Sequence, residues 1–203
     1  MRTIRFLGAG LLTLSLAACI TPHSYVDPAL HDTAWTAIKP PAQKQAVGLT
    51  IEFFRNGERL ARADKTLRAS LERALAKSGV VVLQPSGATA TLTAKFDNIA
   101  DISEAMKKGF GTGLTFGAKG SSVTDAYAIT FIYDDGSGPI EKHYEHALHT
   151  TIGNAPAPTS AAPMSPVQAF DQVVEDALIH FLRDLQAEGK LVIGRDGSAR
   201  FVG

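Results

Sequence analysis

The chain has 203 residues, of which 45% are apolar, and its 20 basic and 20 acidic side chains give a formal net charge of zero. This length is typical of one globular domain with added segments, and the balanced charge excludes the basic footprint of a nucleic-acid-binding protein. The single cysteine, Cys19, excludes a disulfide within the chain.

The first segment has the features of a bacterial export signal. Two arginines precede an apolar run over residues 6–16, which is too short to cross a hydrocarbon core about 30 Å thick as a permanent helix. The run ends at Leu16-Ala17-Ala18-Cys19, and this string resembles the lipobox of bacterial lipoproteins. The resemblance implies a signal peptide over residues 1–18 and a mature chain that begins at a lipidated Cys19.

The same resemblance implies a location. The cysteine of such lipoproteins carries several acyl chains, palmitate among them, and more than one chain gives stable anchoring. Ile20 follows the cysteine, whereas aspartate at that position is the usual inner-membrane retention signal in enterobacteria. We therefore expect an outer-membrane lipoprotein that faces the periplasm.

Residues 19–46 are predicted to form the lipidated cysteine and a tether. No apolar period persists there, and four prolines disfavour helix in the residue that precedes each of them. Extended at about 3.3 Å per residue, such a tether would reach up to roughly 90 Å from the membrane.

The first folded unit is predicted to be strand, helix, strand. Residues 47–53 alternate apolar with small or polar side chains, which predicts a strand, and a turn at Asn56-Gly57 follows. Asp64 is the predicted N-cap of an amphipathic helix that ends at Gly79. A β-branched run over residues 80–83 predicts the next strand.

Three longer strands are predicted to follow. Residues 88–99 alternate between an apolar side and a threonine-rich side, which indicates a strand with one face in water. Residues 123–133 alternate in the same way. The turn residues 134–138 predict that residues 140–152 return as an antiparallel partner.

The last part of the chain begins with a predicted exposed loop over residues 153–166, which contains four prolines among Ala, Ser and Thr. Ser165 as N-cap and Gln168 three residues later form a capping box, and a long apolar stripe follows. These features predict a second helix. Residues 191–202 are expected to form a small terminal hairpin.

This order of elements predicts an α+β fold, in which two amphipathic helices pack on one face of a mostly antiparallel sheet. Residues 47–203 are expected to form a single domain. The element order is similar to that of small periplasmic lipoproteins such as the lipopolysaccharide-assembly plug lipoprotein and curli-secretion accessory domains. That similarity includes no residue motif beyond the lipobox, so it implies no functional residue.

Three histidines lie close together in the sequence, at His143, His146 and His149, with Glu141 and Glu145 nearby. Imidazole and carboxylate groups bind zinc and copper. In a strand, however, His143 and His149 share a face with both glutamates, and His146 points to the other face. His143 and His149 would lie about 20 Å apart, too far for one ion. The prediction is therefore a polar strand face and no metal, with His143 and His149 as the candidate ligands of the alternative.

A glycine-rich segment covers residues 109–122. It fits neither phosphate-loop template, because Ala118 precedes Lys119 and no GxGxxG is complete, so no nucleotide is expected. Its apolar side chains alternate with small residues on an extended chain. The segment is expected to be a glycine-loosened strand that packs on the domain's own core, and the alternative is a hairpin that contacts a partner protein or lipid. The candidate contact residues are Lys107, Lys108, Phe110, Leu114 and Phe116.

The predicted function is non-enzymatic, since acylation removes the only thiol and no GxSxG motif is present. We expect an accessory or assembly module of a cell-envelope complex, with no cofactor. Its expected partners are the membrane, through the anchor, and an envelope protein, with neither nucleic acid nor nucleotide. Two alternatives stay open: a carrier or sensor of an apolar ligand or lipid held between sheet and helices, and a metal-binding lipoprotein.

Overall fold

A computed structural model describes residues 22–39, 41, 43–100, 122–152 and 161–191. Within these residues, one seven-stranded sheet carries two α-helices on one face, which confirms the predicted α+β class. The strands are β1 (Pro22–Val26), β2 (Gln45–Arg55), β3 (Glu58–Arg59), β4 (Val81–Leu83), β5 (Ala90–Ile99), β6 (Ser122–Asp134) and β7 (Ile140–Ile152), and the helices are α1 (Asp64–Ser78) and α2 (Pro166–Ala187).

The strand order is β1-β7-β6-β5-β2-β3, and β4 lies beside β2. The pairs β1–β7, β7–β6, β6–β5 and β2–β3 are antiparallel, as the sequence predicts for most of the sheet. In contrast, β2 pairs in parallel with both β4 and β5. The predicted strand–helix–strand opening is therefore a crossover unit, in which α1 connects the parallel strands β2 and β4.

The ends of the helices agree with the sequence in one case and differ in the other. The Ser165 hydroxyl accepts the Gln168 N–H, and the Gln168 side chain accepts the Ser165 N–H, so the predicted capping box is confirmed. Asp64 is the first residue of α1 and not its N-cap. Its carboxylate accepts hydrogen bonds from the Phe53 N–H and from the Arg59 guanidinium, because β3 brings that arginine back beside the helix start.

The core lies between the sheet and both helices. Phe96 on β5, Phe131 on β6 and Phe181 on α2 are fully buried at its centre. The ring of Phe131 stacks on that of Phe181 at 4.8 Å and meets Phe96 edge-on at 5.9 Å between centroids. Leucines of α1 complete this layer, with Leu67, Leu71 and Leu75 wholly buried. Aromatic and aliphatic side chains thus fill the middle of the space between sheet and helices.

The second face of the sheet is not covered by either described helix. Its exposed or half-exposed residues are mostly polar and carry charges of both signs: Thr50, Glu52, Thr91, Lys95, Thr130, Glu141, His143 and Glu145. At one end of this face, Ile99, Ala126 and Ala147 form a small buried cluster of their own. We call the polar region the open face.

The segment predicted as a tether is part of the domain, and the prediction of a free tether from residue 19 to residue 46 is wrong for its described residues. β1 forms the edge of the sheet and pairs with β7 along five residues. Two 3-10 turns follow, at Pro28–Leu30 and Trp35–Ala37. The prolines exclude a long helix here, but an edge strand tolerates Pro22 at its first position.

Several other predictions fall on residues that the structure does not describe. The signal peptide and Cys19 are among them. So are residues 109–121 of the glycine-rich segment, with the candidate contact residues Lys107, Lys108, Phe110, Leu114 and Phe116, residues 153–160 of the proline-rich loop, and all but Leu191 of the predicted terminal hairpin.

Candidate functional site

The N-terminal segment, residues 22–39, is fastened to the outer side of α2 by a row of polar contacts. The Trp35 indole N–H donates to Glu175 at 2.5 Å, and the Lys39 N–H donates to Gln186 at 3.1 Å. Lys77 on α1 lies over the Trp35 ring, 5.5 Å from its centre. The segment therefore has a fixed place against the second helix.

A buried carboxylate, Asp176 on α2, is the centre of this row. Its side chain is only 1% exposed, and His146 on β7 lies beside it, with Nε2 3.1 Å from Oδ2. The Gln172 amide donates to Oδ1 at 2.7 Å. His31, from the N-terminal segment, completes the group, with its Nδ1 3.2 Å from Oδ1. One carboxylate thus joins three parts of the chain.

The hydrogen bonds define the tautomer of His146. Its Nδ1 accepts the Ala147 N–H at 3.0 Å, so the ring proton of the neutral imidazole lies on Nε2 and is donated to Asp176. Both ring nitrogens are therefore occupied. The pair has the orientation of a base and its positioning acid, but neither nitrogen is left to accept a proton from a substrate.

A second buried histidine, His180, lies one turn further along α2 and repeats this arrangement. Its Nδ1 accepts from the Arg183 guanidinium at 3.0 Å, and its Nε2 lies 3.1 Å from both the Leu30 carbonyl and Asp32. The same donor thus holds the turn after Pro28–Leu30 against the helix. His180 thus holds the N-terminal segment directly, whereas His146 binds Asp176, the carboxylate that His31 of this segment contacts.

The two histidines named as candidate metal ligands, His143 and His149, lie in different environments. His143 is exposed on the open face, where its Nδ1 lies 2.9 Å from the Thr130 hydroxyl. His149 is buried, with Nδ1 3.0 Å from the Thr124 hydroxyl. His146 points to the helix side, as the strand pattern predicts. Among the described residues, no three metal-ligating side chains cluster as a metal site requires.

His149 also faces the start of the N-terminal segment. Its Nε2 lies 3.9 Å from the Asp27 carboxylate. The polar contact with His149 holds the pKa of Asp27 below its usual value, against a smaller opposing effect of burial. Asp27 additionally accepts the Ala29 N–H and so caps the first 3-10 turn.

An apolar cavity of about 280 Å³ opens at one end of the molecule, between the sheet and the first turns of both helices. Its aromatic wall consists of Phe53, Tyr127 and Phe170, whose neighbouring ring centroids are 5.7 to 6.3 Å apart. Burial raises the pKa of Tyr127, so its phenol stays neutral. The remaining lining residues are Ala63, Thr66, Asp125, Leu148, Thr150 and Pro166.

This cavity lies at the end of the sheet where β1 begins. Thr150, one of its lining residues, is the direct partner of Ser24 in the β1–β7 ladder, and the two hydroxyls are 2.8 Å apart. The strand ends at Arg55, Ile99 and Ser122 belong to the same end, because β2 and β5 run parallel and β6 is antiparallel to β5. We call this region the anchor end.

A larger hollow of about 490 Å³ lies at the opposite end of β2, lined by Gln45, Val80, Thr89 and Lys190 among others. Polar and charged side chains contribute much of its wall. The sequence patterns allowed an apolar site between sheet and helices only as the carrier alternative. They identified neither the residues that line the two cavities nor the roles of Asp176 and His31. The one available signal was that Asp176 and His180, four residues apart, interrupt the flank of the apolar stripe of α2.

No family model matches the chain, and no curated protein matches it. Among solved structures, a minor lipoprotein from Acinetobacter baumannii is similar with a TM-score of 0.40 and 13% identity, over 76% of this chain and 99% of that one. A PelC dodecamer from Paraburkholderia phytofirmans is similar with a TM-score of 0.37 and 12% identity, over 79% of this chain and 95% of that one. A DUF4136 family protein from Bacteroides thetaiotaomicron is similar with a TM-score of 0.30 and 11% identity, over 85% of this chain and 97% of that one. At these values the similarity carries no functional conclusion.

A search of the described helices for a membrane span finds none with the length and apolar character that crossing requires.

Proposed function

We propose that the protein is a non-enzymatic lipoprotein, anchored in the outer membrane through Cys19 and facing the periplasm, that acts as an accessory or assembly module of a cell-envelope complex. The observation that carries this proposal is the short path from the anchor to the fold. β1 begins at Pro22, three residues after Cys19, and is hydrogen-bonded into the sheet. Three extended residues span about 10 to 11 Å.

This short path favours a module that holds one position over one that moves. The N-terminal segment is fastened to α2 through Asp176 and His180, so the freedom of a long linker is absent from residues 22–39. A domain mounted in this way remains beside the membrane. That placement suits a component of a membrane-bound complex better than a shuttle across the periplasm.

The open face supports the assembly role. It presents threonines and charges of both signs on four adjacent strands, and neither described helix covers it. Mixed polar surfaces of this kind form the rims and much of the area of non-obligate protein interfaces. We propose that the envelope partner binds there.

The non-enzymatic part of the proposal is supported by the state of two of the three buried histidines, His146 and His180. In His146 and His180 both ring nitrogens already have hydrogen-bond partners within the fold. A general base needs a nitrogen that can reach a substrate. Within the described part of the chain, these two rings bind carboxylate, carbonyl, guanidinium and backbone N–H groups and no serine or threonine hydroxyl.

The test is site-specific photo-crosslinking in intact cells. A photoreactive residue replaces Thr91 or His143 on the open face, and matched variants carry it at Glu72, on the exposed side of α1. We expect one envelope protein, identified by mass spectrometry, to be captured from the open face far more than from Glu72. The capture should be lost when Cys19→Ala removes the anchor.

Equal capture from all three positions, or capture that survives in Cys19→Ala, contradicts the proposal. A second candidate function, a carrier or sensor of an apolar ligand or lipid, is favoured by the cavity beside Phe53, Tyr127 and Phe170. It predicts that lipid copurifies with the soluble domain and that Phe170→Arg removes this lipid. If no specific protein partner is captured and the soluble domain retains lipid, the carrier function is supported in place of the assembly role.

A further inference from the structure

We infer that the anchor end of the domain docks directly on the surface of an anionic phospholipid bilayer, with the rim of its apolar cavity at the level of the head groups. This inference rests on the proposed lipid anchor at Cys19 and deepens it, because it assigns the surface that meets the membrane. The partner surface of the proposed function, the open face, is a different region.

The first support is the position of the anchor. Ser24, five residues after Cys19, pairs with Thr150, which lines the cavity. Five extended residues span at most about 18 Å, so the acyl chains attach close to the rim. The segment between Cys19 and Pro22 is too short for the chain to turn around the domain and present its other end.

The second support is the distribution of exposed apolar side chains. Among the described residues, three large ones are exposed: Val82 by 44%, Val123 by 51% and Val167 by 68%. Val123 is the strand partner of Thr150, and Val167 follows Pro166, so both lie beside residues that line the cavity. Val82 is on β4, which pairs with the opposite end of β2.

The third support is the charge beside the rim. Arg55 at the end of β2, Arg62 in the turn before α1 and Lys65 in its first turn are all exposed. The exposed carboxylate of Glu58 opposes them in part, and that of Asp64 is bound by Arg59. Two further carboxylates at this end are half-buried and accept hydrogen bonds within the fold, Asp125 from the Asn98 amide and Asp97 from the Gly57 N–H, so the fully exposed charge is mostly basic. An apolar rim beside basic side chains has the character of surfaces that lie in the interface of anionic membranes.

The chain itself provides a clean test. Cys19 is the only cysteine, so acylation leaves no free thiol, and one introduced cysteine can be labelled alone. The variants Val123→Cys, Val167→Cys and Val82→Cys carry an environment-sensitive fluorophore on three exposed valines, two at the anchor end and one at the far end. The acylated full-length mature protein is reconstituted in vesicles of phosphatidylethanolamine and phosphatidylglycerol, with and without brominated lipid.

We expect a blue-shifted emission at positions 123 and 167 and at least twofold stronger quenching by brominated lipid there than at position 82. Equal quenching at all three positions, or stronger quenching at 82, overturns the inference. The same labels on the unanchored Cys19→Ala protein should remain in water. If they are already shielded without lipid, the surface is covered by protein and the inference fails.

The mass of the intact protein purified from cells separates this result from the fate of the anchor. If the protein is acylated but its labels at positions 123 and 167 remain in water, the proposed anchor is supported and the docking inference is wrong. A protein without acyl chains overturns both.

Discussion

Nε2 of His146 on β7 lies 3.1 Å from Oδ2 of Asp176 on α2, and both side chains are buried. Because His31 and Gln172 contact the same carboxylate, one buried acid joins the last strand, the second helix and the N-terminal segment. Such a buried acceptor is costly to remove, since the buried His146 ring loses its partner without regaining water.

Asp176→Ala should therefore destabilise the domain by about 2 to 3 kcal/mol, as expected when buried donors to a charged group are left without a partner. The measurement is the free energy of unfolding in urea. Glu72→Ala removes an exposed carboxylate, 3.6 Å from Arg68, and should change the same quantity by less than about 0.5 kcal/mol. Similar losses in both variants would show that Asp176 has no special role.

The carboxylate of Asp64 predicts a pH dependence. The Arg59 hydrogen bonds hold its pKa below the usual value of 3.8, so this carboxylate stabilises the fold above about pH 3.8 and loses that effect as the pH falls through its lower folded-state pKa. Asp64→Asn should reduce the loss of stability on acidification below pH 4. Unfolding free energies measured from pH 5 to pH 2.5 test this, with Glu72→Gln as a carboxylate control on the same helix. If the unfolding free energy of Asp64→Asn falls with pH as steeply as that of the unmodified protein, Asp64 is not the source of this pH dependence.

The aromatic core predicts a large mutational effect. Phe181 is fully buried and stacks on Phe131. Phe181→Ala should cost about 3 to 5 kcal/mol, because it removes apolar contacts and leaves a cavity. Val167→Ala, at a side chain that is 68% exposed, should cost less than about 0.5 kcal/mol in the soluble protein. A loss below about 1 kcal/mol for Phe181→Ala would place this ring outside the core.

The fixed position of residues 24–27 within the fold is tested by hydrogen exchange. The Ser24 N–H donates to the Met164 carbonyl at 2.9 Å, and the Asp27 N–H donates to the Ala147 carbonyl at 2.9 Å. These amides should exchange at least a hundredfold more slowly than an unstructured peptide of the same sequence. Exchange at the rate of the free peptide would restore the interpretation of this segment as a free tether.

Local patterns predicted most of the regular elements. The capping box at Ser165 and the β6–β7 hairpin each depend on neighbours within a few residues, so the sequence pattern contains the needed information. β1 was missed because its partner, β7, is far along the chain and because its inward residues include Ser24, which no apolar pattern indicates. A short edge strand is defined by tertiary pairing.

The polar site around Asp176 was harder to predict, because it is formed by tertiary contacts. The strand alternation of β7 correctly placed His146 on the face opposite to His143 and His149. It could not show that the inward histidine meets Asp176, since this contact joins two elements 30 residues apart. The parallel pairing of β2 with β5 was equally hidden, because alternation defines a face and not a neighbour.

The pairing of β1 with β7 also determines when the fold can be completed. Ser24 and its partner Thr150 are 126 residues apart, so a chain made from its N-terminus presents β1 long before the strand that receives it. Contacts of such sequence separation are slow to form. We expect the edge that carries the N-terminus to assemble late, and until it does the backbone groups of β7 that bind β1 remain open to any other strand that reaches them.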